Sequence, residues 1–303
     1  MFSYKSTSIH TLNGDRPLNR IFQKLYYLFN TANNLLANIA VDDELFITDF
    51  SCDFKGYWDR LDLKSSPARK LCNLFWLCLP WREIHQELGE IRIFDTGCGN
   101  GTYALNLSDW ADVNILSYTG VDAVGSENWK IIERKHSSIQ FHKCNAAKVF
   151  QCIPSGINLF ITQSALEHFD EDILYFEQVK NYILSYRESV IQIHLIPSGA
   201  CLHLYGLHGV RQYTPRTISK IFRLFKDYSY GMIFRLGGSE CNQTHYQFIT
   251  KPIREGIGDL RNSKIIEYNE QLFRAIEKDM SRPGKSPSFY ALVIHSNFVK
   301  KIF

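Results

Sequence analysis

The segment Ile91-Arg92-Ile93-Phe94-Asp95-Thr96-Gly97-Cys98-Gly99-Asn100-Gly101 limits what this chain can fold into more than any other. Its apolar start reads as a buried strand. Gly97, Gly99 and Gly101 let the next stretch of backbone turn sharply and approach a ligand with no Cβ in the way. Thr102 to Trp110 can then begin a helix. A second apolar run, Ile115 to Val121, closes on Asp122, about 20 residues after the last glycine, where an acid in a strand–turn–helix–strand unit accepts hydrogen bonds from ribose hydroxyls.

From Ile91 onward, short apolar runs alternate with helical patterns, the signature of βαβ units and a parallel sheet. Strands are predicted over 91–95, 115–121, 138–143, 157–162 and 190–196, with a last edge strand from Phe289 to His295. Asp170 to Tyr186 reads as a helix with acids at its positive end and Ile173, Phe176, Val179 and Ile183 as its core stripe. Thr214-Pro215 signals another helix, with threonine as N-cap. Residues 1–20 are polar and interrupted by Asn13-Gly14 and Pro17, which predicts a loosely packed start. Apolar side chains recur at three- and four-residue steps in 21–40, predicting a helix whose apolar face packs on the core; a sharper alternative seats that face on a membrane beside a lipid-linked substrate. The expected organisation is a helical cap over 1–88, a ligand-binding core over 89–239, an insertion over 240–286 and a closing edge strand in 287–303.

Composition narrows the partners. With 303 residues the chain is long enough for one large core with additions. Its net charge of +3 comes from 34 bases and 31 acids mixed along the chain, with no basic track for a phosphate backbone, so nucleic acid is not an expected partner. The eight cysteines lack paired C-x-x-C spacing and read as reduced, packed thiols. No run approaches the roughly 20 apolar residues of a membrane span, and no leader pattern stands at the start, so a cytoplasmic protein is expected, with 21–40 as its one candidate contact with the inner face of the membrane.

The glycine spacing separates two cofactor classes. A dinucleotide fingerprint needs G-x-G-x-x-G to bring a pyrophosphate onto the helix N-terminus, and position 102 is threonine. Asp95-x-Gly97-x-Gly99-x-Gly101 resembles the turn of the class I S-adenosylmethionine-dependent methyltransferases. That resemblance implies a Rossmann-like α/β fold with a mostly parallel seven-stranded sheet. It assigns the cofactor to Asp95, Gly97, Cys98, Gly99, Gly101, Asp122, Ala123, Asn145, Ala146 and Gln163. Asn145 stands where relatives commonly carry an acid for the adenine amino group, and an amide oxygen still accepts that bond. Gln163 replaces the acid that catechol-type enzymes offer a divalent ion, so no metal is expected.

Methyl transfer to oxygen needs the acceptor held in line with the sulfonium methyl and a base for its proton. Ser164-Ala165-Leu166-Glu167-His168 is similar to the Leu-Glu-His segment of small-molecule methyltransferases and makes His168 the first candidate base. His194 and His208 are the second and third. Arg211 and Tyr213, in the loop after the fifth strand, suit a polyhydroxylated or anionic acceptor; the alternative is that His194 is a satisfied core residue and that Arg211 with Tyr213 only orders the loop. Tyr57-Trp58-Asp59-Arg60, Ser66-Pro67-Ala68-Arg69 and His208-Gly209-Val210-Arg211-Gln212-Tyr213 resemble bacterial surface-polysaccharide O-methyltransferases, including those acting on the terminal sugar of a cholera-type O-antigen in lipopolysaccharide. The expected acceptor is therefore a glycan or nucleotide-sugar. A methyltransferase of another small molecule or lipid, and a non-catalytic cofactor-fold module, stay open, as does the oligomeric state.

Overall fold

A computed structural model describes residues 5–282 and 286–303. Eight strands form one sheet: β1 Leu45–Asp49, β2 Ile91–Thr96, β3 Ile115–Asp122, β4 Ile139–Lys143, β5 Leu159–Gln163, β6 Val190–Pro197, β7 Ser229–Leu236 and β8 Phe289–Ser296. Their order is β1-β7-β8-β6-β5-β2-β3-β4. Every pairing is parallel except those of β8, which runs antiparallel to both β6 and β7. The chain winds from β2 outward to β4, then returns to β5 on the other side of β2. The crevice at the carboxyl ends of β2 and β5 is thus the switch point where open α/β sheets bind ligands.

Helices cover both faces. On one side Ile91, Ile93, Leu159, Ile161 and Ile193 pack with Leu71, Leu74 and Trp76 of helix Pro67–Leu77; on the other Phe94, Phe160 and Ile196 pack with Phe176, Val179 and Ile183 of helix Asp172–Tyr186. Helix Pro215–Phe222 begins as the sequence predicts, with Thr214 accepting from the Thr217 amide and proline at its first turn.

Several expectations need correction. The sheet has eight strands rather than seven, because β1 of the cap region joins β7 at the edge. β8 is not an edge strand: it is buried between β6 and β7 along its whole length. The segment expected as an insertion, 240–286, holds the helices Ser239–His245, Lys251–Arg254 and Ile265–Ser281 where the sequence pattern is irregular; its residues 283–285 lie outside the described residues. Cys144 and Cys152 form a disulfide, so not all eight cysteines are thiols.

The two N-terminal expectations also fall. Residues 1–4 lie outside the described residues, but the chain around Thr7 and Gly14 is docked rather than loose. The Thr7 amide and hydroxyl both donate to Asp172, at 2.8 and 2.5 Å, and the Gly14 amide donates to the Gly209 carbonyl at 2.7 Å. A Cβ at Gly14 would come within 2.5 Å of the His208 nitrogen, so only glycine allows this approach. The helix predicted in 21–40 forms over Arg20–Leu35 (α1), yet the side it buries carries Tyr26, Asn30 and Asn33, while Ile21, Leu28 and Leu35 face outward. Among the described residues no helix is long and apolar enough to cross a membrane.

Candidate active site

The turn after β2 divides two cavities. One, of about 700 Å³, is lined by Gly97, Gly99, Asp122, Ala123, Asn145, Ala146 and Ser164, and extends to Arg16, His168, Phe169 and Asp170. The other, of about 490 Å³, is lined by Asp95, Cys98, Asn100, Arg69, Tyr103 and Gln163, and shares Gly97, Gly99 and Ser164 with the first. The shared rim is tight backbone: Gly97, Gly99 and Ser164 all have positive φ. A Cβ at Gly97 would sit 2.4 Å from that of Ala165, whereas one at Gly99 meets nothing within 4 Å. Gly97 therefore lets the ends of β2 and β5 come together, and Gly99 leaves a cradle open.

Asp122 braces the turn, accepting from the Gly99 amide at 3.0 Å and the Val124 amide at 2.9 Å. It remains part of the cavity wall, and each carboxylate oxygen has a lone pair left for a hydroxyl donor. Asn145 accepts from the Ala147 amide at 2.9 Å through its side-chain oxygen, which fixes the wall that Ala146 continues. Gly101 lies off both cavities; a Cβ there would strike the Phe141 ring at 2.6 Å, so it is a packing glycine. Gln163 accepts from the Trp76 indole at 2.8 Å, which ties the cap helix to the end of β5.

The second cavity offers the ends of a zwitterion a partner each. Asp95 is buried and takes the Tyr118 hydroxyl on one oxygen, while its other oxygen has no partner. Burial pushes its carboxyl up to about 7, against the Tyr118 hydrogen bond and with the Asp122 charge. An ammonium in this cavity would satisfy that oxygen. Arg69 donates to the Tyr103 hydroxyl at 3.0 Å and, among the described residues, pairs with no carboxylate. It suits a ligand's carboxylate, and the sequence had offered it only as part of the cap motif.

At the far end of the first cavity, His168 Nδ1 lies 2.6 Å from the carboxylate of Asp15. The Gly209 amide also donates to Asp15 at 3.0 Å. Burial alone would raise the Asp15 pKa, but that amide and His168 outweigh it and hold the carboxyl below its usual range. An ionised Asp15 accepts the Nδ1 proton and leaves Nε2 as the basic atom. Glu167 is buried behind it, with Oε1 3.9 Å from His168 Nε2 and Oε2 without a partner; burial pushes its carboxyl up to about 7. The His208 ring stands edge-on to His168, centroids 4.7 Å apart, and burial with the His168 charge lowers its pKa. Glu167, His168 and His208 bring one ligand atom each within 4.8 Å of one another, the only such grouping found among the described residues.

The other predicted catalytic residues lie elsewhere. His194 is fully buried in β6, 3.0 Å from the Thr162 hydroxyl and edge-on to Phe176, and burial drops its pKa to about 3. It is a neutral core residue facing neither cavity. Arg211 is also fully buried and donates to the carbonyls of Leu166, Phe169 and Asp170 and to the Ser6 hydroxyl. Tyr213 donates to the Leu166 carbonyl and to Asp172. Both hold the 166–172 loop in shape rather than meeting a ligand, and Asp15 takes their expected place beside His168.

The strand order, the antiparallel β8 and the glycine turn at the switch point make this the Rossmann-like fold of class I methyltransferases. No family model and no curated protein matches the chain. Solved structures resemble it distantly. The plantazolicin methyltransferase BamL, in complex with a desmethylPZN analog and SAH, has a TM-score of 0.47 at 10% identity over 91% of this chain and 97% of that one. The [4+2]-cyclase SpnF has 0.44 at 12% over 90% and 94%. A SAM dependent methyltransferase from Archaeoglobus fulgidus has 0.41 at 18% over 81% and 100%. All three scores lie below 0.5, so what this chain does must be read from its own residues.

Proposed function

We propose that this chain is an S-adenosylmethionine-dependent O-methyltransferase. The observation that carries the reading is the pair of cavities meeting at Gly97, Gly99 and Ser164, one ending at Asp122 and Asn145, the other at Asp95 and Arg69. Adenosine suits the first, with its ribose on Asp122 and its base along Asn145 and Ala146. The methionine end suits the second, its ammonium on the unpartnered oxygen of Asp95 and its carboxylate on Arg69. When bound, the cofactor would supply an electrophilic methyl carbon for an acceptor oxygen, with its sulfur as the leaving group that keeps the bonding electron pair.

The chain's own residues do the rest. Ser164 and the glycine rim put the junction of the cavities beside the space that His168 and Asp170 line, which is where an acceptor hydroxyl would stand. His168 Nε2 takes the hydroxyl proton, and Asp15 steadies the imidazolium through Nδ1. We assign the acceptor to the sugars of a surface polysaccharide or its nucleotide-linked precursor. Support comes from the polar lining of that end, where Arg16, His168 and Asp170 offer donors and acceptors to several hydroxyls, together with the cap-motif resemblance. The test is incubation with S-adenosylmethionine and either extracted O-antigen polysaccharide or nucleotide-sugars, followed by mass spectrometry. A gain of one methylene on a glycan supports the assignment; transfer to other acceptors alone moves it to another small molecule or a lipid, and binding without transfer moves it to a non-catalytic module.

A further inference from the structure

Helix α1 is amphipathic in the wrong sense for a core helix. The face it turns inward carries Tyr26, Asn30 and Asn33, all at most 3% exposed. Those amides are satisfied there: Asn30 donates to the Tyr26 carbonyl at 3.2 Å, and Asn33 accepts from Arg216 at 2.5 Å. The outward face carries Ile21, Leu28 and Leu35, exposed by 70, 60 and 80%, flanked by Phe22 and Leu36. At 100° per residue, 21, 28 and 35 fall in one stripe along a helix about 24 Å long. Apolar side chains aligned this way, while polar ones are buried with partners, mark a surface built to be covered.

Charge selects what covers it. Among Asp, Glu, Lys, Arg and His, α1 holds only Arg20 and Lys24, both basic and both on the flank of the stripe, and the helix contains no acid. An interfacial helix has this composition: an apolar ridge for the acyl boundary and cations for anionic headgroups. A twofold pairing with a second copy would bury the same ridge but leave those bases with no acid on the partner α1 to answer them. We infer that α1 seats this protein on an anionic lipid surface. The helix is joined to the site: the Tyr26 hydroxyl donates to the His208 carbonyl at 2.8 Å, and Arg16, just before the helix, lines the acceptor end of the cavity. If the proposed methyl transfer holds, on which this last step rests, the acceptor is a glycan carried on a lipid at that surface.

Flotation of the full chain with vesicles tests the surface without any cofactor. With about 30% phosphatidylglycerol in phosphatidylcholine the protein should float, and with pure phosphatidylcholine far less of it should. The triple substitution Ile21→Ser, Leu28→Ser and Leu35→Ser should weaken partitioning by about tenfold or more while leaving the melting temperature and S-adenosylmethionine affinity unchanged, since those side chains are solvent-exposed. Failure of the wild-type chain to float, or equal flotation of the triple variant, overturns the inference. So does light scattering that shows a dimer which the triple variant splits, because the stripe then belongs to a second copy. Vesicle binding in a chain that transfers no methyl group keeps this surface and discards only the enzymatic reading.

Discussion

Asp15 and His168 stand 153 positions apart in sequence and 2.6 Å apart in space, carboxylate to Nδ1. The contact exists because Gly14 admits the Leu207–His208 backbone at a distance no Cβ would tolerate, and the Gly209 amide then clamps the carboxylate. A histidine whose Nδ1 is held by an ionised acid presents its other nitrogen as a base of fixed orientation.

His168→Ala should therefore lower turnover by about 10²–10⁴-fold with cofactor affinity unchanged. Asp15→Asn should lower turnover in the same direction, because an amide no longer stabilises the imidazolium. Single-turnover kinetics beside calorimetric titration separates the two readouts. Normal turnover in His168→Ala would remove the histidine from the chemistry and return attention to His208.

Much of this site was legible in the sequence, and the part that was not has a common cause. β2, β3, β5 and β6 form within one or two residues of where their apolar runs predict, because a strand buried on both faces leaves a local trace. Asp122, Gly97 and Gly99 carry a fixed spacing that singles them out in the sequence, and they line the first cavity, whereas Gly101 packs on Phe141. Asp15 carries none: it lies in a polar stretch whose docking depends on partners in 167–172 and 207–211. The same blindness misplaced His194 and Arg211, whose residue types suit a site but whose burial is settled by where β6 and the 166–172 loop pack. β7 escaped notice, and β8 was put at the edge, because strand order is a property of the assembled sheet.

Asp95 makes cofactor affinity depend on pH. In the free protein burial holds its carboxyl up at about 7, whereas a bound ammonium favours the carboxylate. Affinity should rise as pH passes upward through 7, and binding near pH 6 should release a proton. Calorimetry in two buffers of different ionisation enthalpy measures that proton. A pH-independent affinity between 6 and 8 would show that Asp95 meets no cation.

Glu167 should make the fold less stable at higher pH. Its carboxyl is pushed up to about 7, above its unfolded value, so protonation favours the native state. That contribution is complete below the unfolded value near 4.5 and is lost as pH rises to the folded value near 7. Glu167→Gln, which keeps the shape without the charge, should melt higher than the wild-type protein above pH 7 and close to it in acid. Parallel melting curves across that range would contradict the buried neutral carboxyl.

Chelation distinguishes the dyad from a metal centre. Glu167, His168 and His208 lie close enough to invite one, yet Asp15 already engages His168. Transfer should survive dialysis against EDTA undiminished. A loss restored by a divalent ion would reassign the cluster as ligands.

The most direct test is calorimetric titration of S-adenosylmethionine into the full chain and into Asp122→Ala. One site is expected, with an affinity in the micromolar range typical of enzyme substrates, weakened by about 1–3 kcal/mol, roughly fivefold to 150-fold, when the Asp122 carboxylate is removed. No binding to the wild-type chain, or binding that Asp122→Ala leaves untouched, would contradict it.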